Sequence, residues 1–257
     1  MPTLIPTITN AAGERLGARL DLPLEGRPLA YAIFAHCFTC TKNIKAASHI
    51  SRALNRQRIA VLRFDFTGLG DSEGDFTETN FTSNVSDLVA VARFLAEEFE
   101  PPKLLIGHSL GGSAALQATQ HIPSLVGVVT IAAPADTSHL AQLLARTKAT
   151  AEVEGEARVT IGGATFRLKR QFFDDLEQAN MQRAIANLDR ALLVLHSPAD
   201  HTVDIVNAMQ IFAAARHPKS FVSLDTADHL LSSQRDSWYA GEVIAAWASR
   251  WLRPAEE

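Results

Sequence analysis

Residues 107–111 read Gly-His-Ser-Leu-Gly, and the segments on either side of them constrain the fold more than any other feature of the chain. Before them runs the apolar stretch Lys103, Leu104, Leu105, Ile106; after them comes the helix-prone run GSAALQAT from Gly112 to Thr119. A strand that passes into a helix through so short a link must turn so sharply that Ser109 takes strained backbone angles, and glycines at 107 and 111 let neighbouring chain approach closely. The helix starting behind Ser109 directs its positive end at the hydroxyl and favours negative charge developing there. A strand feeding straight into a helix is also half of a βαβ unit, so further parallel strands and covering helices are expected.

Segments 29–36, 59–66, 103–107, 126–132, 191–196 and 220–224 fit that expectation, being short, apolar and rich in β-branched residues, as strands covered on both faces must be. Segment 15–22 alternates and is expected at a sheet edge. Between the strands lie helical stripes that read as core, such as Leu88, Ala92, Leu95 and Phe99, or Ile244, Trp247 and Trp251. The predicted class is α/β, a doubly wound, mostly parallel sheet in a single domain over 1–257. A chain of 257 residues, 47% apolar and 20% charged, can bury such a core. About 137–190 no clear sheet strand occurs. There Val159 and Ile161, then Gly162-Gly163, then Ala164, Phe166 and Leu168 alternate as a β-hairpin would, with helices on both sides, and an insertion of that length reads as a cap over a site. Residues 253–257 look like a frayed end or the start of a linker.

Charge and composition exclude several classes. The net charge is −4 and no basic, aromatic-interleaved stretch occurs, so no nucleic-acid partner is expected. No window approaches the roughly 20 apolar residues of a membrane span, and the N-terminus lacks a signal-peptide pattern, which points to a cytoplasmic chain with no membrane partner. Cys37 and Cys40 are too few for a disulfide framework and agree with a reducing compartment. Their C-x-x-C spacing lacks both a thioredoxin-like context and further zinc ligands, so they are expected as thiols that pack a loop. Gly68, Gly70 and Gly74 resemble a dinucleotide fingerprint, but the third glycine is one place late and a polar segment follows, so they are expected to form a turn beneath the functional loops. No cofactor and no metal site are expected. A homo-oligomer is allowed by the sequence, not required.

A serine hydroxyl is a weak nucleophile at neutral pH, so Ser109 needs a base and an acid that orients the base. Asp200 stands just past segment 191–196 and His229 just past segment 220–224, which brings both to the carboxyl ends of strands in the order serine, acid, base. Asp228 is the rival acid, disfavoured because neighbouring side chains rarely face each other. Of the other histidines, His36 and His108 are expected to support loops, with His108 also a candidate substrate contact. His49, His121, His139 and His217 have no visible partner, and His201 as base would break the chain order. An oxyanion needs two backbone N–H donors. Leu110 is assigned as one and Phe38, on the loop after 29–36, as the other, with Cys37 the less favoured candidate. The Phe38 ring would wall the substrate pocket, together with Phe166, Leu168, Phe172 and Phe173 from the cap.

Taken together, the loop at His36-Cys37-Phe38, the run DFTGLGDSEG from Asp65 to Gly74, GHSLGG, Asp200 and His229 resemble the α/β-hydrolase superfamily over nearly the whole chain. The run FAHCFTCTKNIKAASHISRALN is similar to hydrolase domains fused to OsmC-like domains in some bacteria, and the hairpin-bearing cap to small bacterial carboxylesterases and cinnamoyl esterases. Cys37 departs from the glycine usual at that place. The resemblance implies a serine esterase acting on small acyl or aryl esters through an acyl-enzyme. A thioesterase, amidase or perhydrolase would share the triad, and an idle binding protein would share the fold.

Overall fold

Every residue of five segments, β4 (Ala30–Ala35), β5 (Ile59–Phe64), β6 (Leu104–His108), β7 (Gly127–Ile131) and β10 (Ala191–His196), is buried in the computed structural model. They form the parallel centre of one sheet because their unbroken apolar runs can be covered on both faces. The structure describes residues 2–137, 140, 144–161 and 164–252. The strand order is β1 (Thr3–Leu4), β3 (Arg15–Asp21), β5, β4, β6, β7, β10, β11 (Lys219–Ser223), and β2 (Thr7–Thr9) also pairs with β3. From β5 through β11 all neighbours are parallel, whereas β3 is antiparallel to β5.

The expected edge position of 15–22 is corrected: β1 and β2 pair with the outer side of β3. Its alternation arises because Leu16, Ala18 and Leu20 bury one face while the other is partly exposed, which says nothing about the edge.

Alternate side chains of each central strand point to opposite layers. Ile33, Leu105, Val128 and Leu192 pack with Leu88 and Leu95 of α2 (Phe81–Glu98), as the predicted stripe requires. Phe34, Ile106, Val129 and Leu193 pack with Ile50 and Leu54 of α1 (Lys45–Arg56) and with Ile244 and Ala248 of the last helix, Gln234–Leu252. The chain passes from β4 outward to β5 and then returns to β6 on the other side of β4. The carboxyl ends of β4 and β6 therefore flank the point where winding reverses, the usual place for a ligand crevice in such sheets.

Between β7 and β10 lie the helix Ala145–Glu154, the antiparallel pair β8 (Glu156–Ile161) and β9 (Ala164–Lys169), and the helices Arg170–Gln178 and Met181–Ala186. Val159 faces Phe166 and Ile161 faces Ala164 in the register. The expected turn at Gly162-Gly163, His139 and residues 253–257 lie outside the described residues. The insert is fastened to α2 and to the turn before it: Asp175 accepts hydrogen bonds from the N–H and hydroxyl of Thr82, and Lys169 pairs with Glu78. Among the described residues no helix is long and apolar enough to cross a membrane.

Candidate active site

β6 runs directly into α3 (Leu110–Ala118), and Ser109 at the junction has φ 55° and ψ −128°, a region non-glycine residues rarely occupy. The turn closes because its glycines carry no side chain. A Cβ on Gly107 would stand 2.3 Å from the Gly111 carbonyl oxygen, and one on Gly111 would stand 2.3 Å from that of His36. The Ser109 N–H donates to the Ile131 carbonyl at 2.8 Å, which fixes the elbow against β7.

The three side chains separated by up to 120 residues converge on this serine. His229 Nε2 lies 3.0 Å from Ser109 Oγ, and His229 Nδ1 lies 2.8 Å from Asp200 Oδ2. The other carboxylate oxygen, Oδ1, accepts from the N–H groups of Thr202 and Val203 at 2.8 and 3.0 Å. Burial alone would push the Asp200 carboxyl up, but the hydrogen bonds from His229, Val203 and Thr202 hold it below the usual carboxylate range. Asp200 thus stays ionised, fixes the ring so that Nδ1 carries its proton, and leaves Nε2 to accept from the serine. Asp228 is engaged elsewhere, accepting from the Ser232 N–H at 2.8 Å.

Two buried histidines brace these loops. His108 Nε2 lies 2.7 Å from the His229 carbonyl oxygen and must carry the proton there, and its ring lies 5.2 Å from the His229 ring. Burial, and then repulsion from His229, pushes the His108 imidazole down to about 4, so it is neutral. His196 Nε2 in the same way donates to the Val203 carbonyl at 2.8 Å, beside the Asp200 carboxylate. The loop support expected of His108 agrees with this geometry; the substrate contact does not, since the residue is 1% exposed and the nitrogen that forms a bond faces protein.

After β4 the chain makes a turn in which Cys40 N–H donates to the Cys37 carbonyl at 3.1 Å, and Phe38 sits second in that turn. Neither the Phe38 N–H nor the Leu110 N–H has an acceptor among the described residues, so both remain available to an oxyanion. Cys37 and Cys40 are joined by a disulfide, with Cα atoms 5.3 Å apart. This corrects the expectation of two packing thiols, and with it goes the argument from reduced cysteines for a reducing compartment. Spacing alone did not decide the matter: residues one and four of a tight turn come within bonding reach of each other only once the turn forms.

The exit of the loop is pinned by a network that the sequence reasoning missed. Lys42 N–H donates to Asp65 Oδ1 at 2.6 Å, its Nζ reaches Asp65 and Asp71 at 2.5 Å each, and Arg63 Nη1 donates to the Lys42 carbonyl at 2.5 Å. Both aspartates belong to DFTGLGDSEG. Gly70, at φ 54°, curls that run so tightly that a Cβ there would meet the Asp65 carboxylate at 2.2 Å. The expected turn beneath the loops is therefore also a carboxylate clamp. The available signal was a lysine shortly after β4 together with two aspartates on a glycine turn.

Four phenylalanines lie around the oxyanion loop. The Phe38 ring is 5.8 Å from Phe76 and 5.4 Å from Phe172, and Phe76 is 5.2 Å from Phe166. Leu168, Phe172 and Phe173, expected as substrate contacts, are 1%, 2% and 1% exposed and belong to the apolar core under the insert. They support the wall, whereas Phe38, Phe76 and Phe166 remain partly exposed. Phe76 was not anticipated, because the run after Gly74 looked merely polar. Among the described residues no group of three His, Cys, Asp or Glu side chains is arranged to hold a metal ion.

Compared with known proteins, residues 32–256 match the alpha/beta hydrolase family. The esterase domain of a Rhodothermus marinus protein is 48% identical, with 98% of this chain and 100% of that one covered and a TM-score of 0.80. Est1E from Butyrivibrio proteoclasticus, solved with ferulic acid bound, is 17% identical with a TM-score of 0.79 over 95% of this chain and 98% of that one, a likeness of fold. The mitochondrial palmitoyl-protein thioesterase ABHD10 of Mus musculus is 26% identical over 186 residues, 69% of this chain and 61% of that protein.

Proposed function

The chain belongs to the alpha/beta hydrolase family and is a hydrolase, and from that premise we propose that it cleaves small carboxylic esters, acyl or aryl, through an acyl-enzyme on Ser109. The observation that carries the reading is the unbroken line from Asp200 Oδ2 through His229 to Ser109 Oγ, at 2.8 and 3.0 Å, beside two amides without acceptors. In this mechanism His229 Nε2 takes the proton from Ser109 as its oxygen attacks the ester carbonyl. The imidazolium is held by Asp200, and the tetrahedral oxyanion rests against the Phe38 and Leu110 N–H groups at the start of α3. Collapse expels the alcohol, which takes the proton from His229; water then repeats the sequence and releases the acid. Every proton moves between groups of this chain, the substrate and water, so no cofactor is required. The insert between β7 and β10 acts as a cap, with Phe166, Phe38 and Phe76 as the apolar surface that meets the substrate.

A thioester reading has one specific observation in its favour, the similarity to the thioesterase ABHD10. Both readings are tested by one panel: p-nitrophenyl esters of rising acyl length, aryl and cinnamoyl esters, and the matching acyl thioesters, with Ser109→Ala as control. Ester turnover that Ser109→Ala abolishes is the expected result. Turnover confined to thioesters would move the assignment, and turnover unchanged in Ser109→Ala would refute it.

A further inference from the structure

The direction of an amide N–H is set by whatever holds the carbonyl of the same peptide, because the two lie in one plane and point opposite ways. The Phe38 N–H shares its peptide with the Cys37 carbonyl. That carbonyl has two donors: His36 Nδ1 at 2.8 Å and the Cys40 N–H at 3.1 Å. The first comes from a buried ring whose Nε2 in turn accepts from the Phe66 N–H at 3.4 Å. The second is the closing bond of a turn with an unfavourable third residue. Thr39, a β-branched residue, has φ 60°, where its side chain crowds the backbone. Beyond Cys40 the chain is fixed again by the Lys42–Asp65 clamp. The tip of the loop, Phe38 and Thr39, lies between two anchored ends: the Phe38 ring packs on Phe76 and Phe172, and the backbone is closed across the turn by one hydrogen bond and by the Cys37–Cys40 disulfide, which joins the same two residues.

We propose that the Cys37–Cys40 disulfide is a positioning element of the oxyanion hole, so that turnover at Ser109 depends on the oxidation state of this pair. The inference rests on the ester-hydrolase reading of the site. With the disulfide formed, the Cys40 N–H cannot leave the Cys37 carbonyl, Thr39 stays in its left-handed conformation, and the Phe38 N–H points at the oxyanion position before substrate arrives. With two thiols, Thr39 is free to relax, the turn bond opens, and the Cys37–Phe38 peptide keeps only its His36 anchor. Cys40 is half-buried and Cys37 buried, so exchange starts at Cys40. One thiolate of an external dithiol attacks Cys40 Sγ, the S–S bond breaks, and Cys37 leaves as a thiolate that takes up a proton. The reagent's second thiolate then displaces Cys40, which is protonated in turn. Two electrons and two protons pass to the protein, and the dithiol closes to its cyclic disulfide.

Complete loss of an oxyanion donor costs roughly 10²–10³ in kcat; a donor retained but no longer held in place is expected to cost about 10-fold. The Phe38 ring keeps its packing against Phe76 and Phe172, so for a substrate as small as p-nitrophenyl acetate the loss should fall on kcat with KM changed little. The test uses the full chain, air-oxidised or treated with dithiothreitol, with free thiols counted by a chromogenic disulfide reagent in each sample. Reduction should lower kcat for p-nitrophenyl acetate with KM changed little, weaken phenylboronic acid in parallel as a mimic of the tetrahedral state, and be reversed by reoxidation. Cys40→Ser should sit at the reduced level and ignore dithiothreitol. Equal kcat in samples with none and two titratable thiols overturns the proposal, as does a pair that stays reduced under oxidant. If neither sample turns over esters nor labels at Ser109 with a fluorophosphonate, the ester-hydrolase reading itself has failed and this inference falls with it.

Discussion

His108 offers the most quantitative test of how the site is held. Its ordinary value is 6.5 and in the folded chain it is pushed down to about 4, so between those values the unfolded chain binds a proton that the folded chain refuses. The stability this residue contributes is therefore complete above pH 6.5, declines as the pH falls, and is gone below about 4. Most of that gap is crossed between pH 7.5 and 4.5, which corresponds to roughly 2–3 kcal/mol. His36 and His196 are also pushed down by burial and add to the same trend, while Asp87, pushed up by burial, opposes it. The wild-type curve alone thus mixes several groups. His108→Gln isolates one: glutamine keeps an N–H donor for the His229 carbonyl and cannot titrate. Urea unfolding at both pH values should find that wild type loses roughly 2–3 kcal/mol more than the variant on acidification. Parallel losses in the two proteins would mean that His108 is not the buried neutral donor described above.

Three further outcomes follow from the geometry. Asp200→Asn should lower kcat by roughly 10³–10⁴, whereas Asp228→Asn, which removes a charge but keeps an oxygen to accept from the Ser232 N–H, should stay within about 3-fold in steady-state assays; the reverse ranking would reassign the acid. Gly111→Ala places a Cβ 2.3 Å from the His36 carbonyl oxygen and 2.7 Å from that of Ala35, so it should displace the oxyanion loop, lower kcat by roughly 10²-fold or more and lower Tm; wild-type kinetics would contradict the packing of the elbow. Phe76→Ala and Phe166→Ala should change the ratio of kcat/KM between aryl and acetyl esters by up to roughly 10–200-fold, while Phe173→Ala, in the core, should cost about 3–5 kcal/mol in denaturant unfolding and leave the ratio alone.

The strands, the elbow and the chain order of Ser109, Asp200 and His229 were legible because each rests on local patterning: apolar runs for buried strands, glycines around a tight turn, and polar residues just past strand ends. The sequence reading failed where a property depends on what lies across space. Whether β3 is an edge depends on the few residues of β1 and β2, too short to register as strands. Whether Cys37 and Cys40 bond depends on the turn between them. Leu168, Phe172 and Phe173 carry the same apolar signal as Phe166, and only packing separates core from pocket wall. Lys42, Asp65 and Asp71 form no local pattern, and only the folded glycine turn brings the two carboxylates onto the lysine.

The proposed acyl-enzyme places the acyl group on Ser109. Rapid mixing of excess p-nitrophenyl ester with enzyme, quenched in acid and analysed by intact and peptide mass, tests it directly. The expected result is a burst of p-nitrophenol no larger than one per active site and an acyl adduct located on Ser109, absent from Ser109→Ala. Turnover with the adduct on another residue, or undiminished turnover in Ser109→Ala, would contradict it.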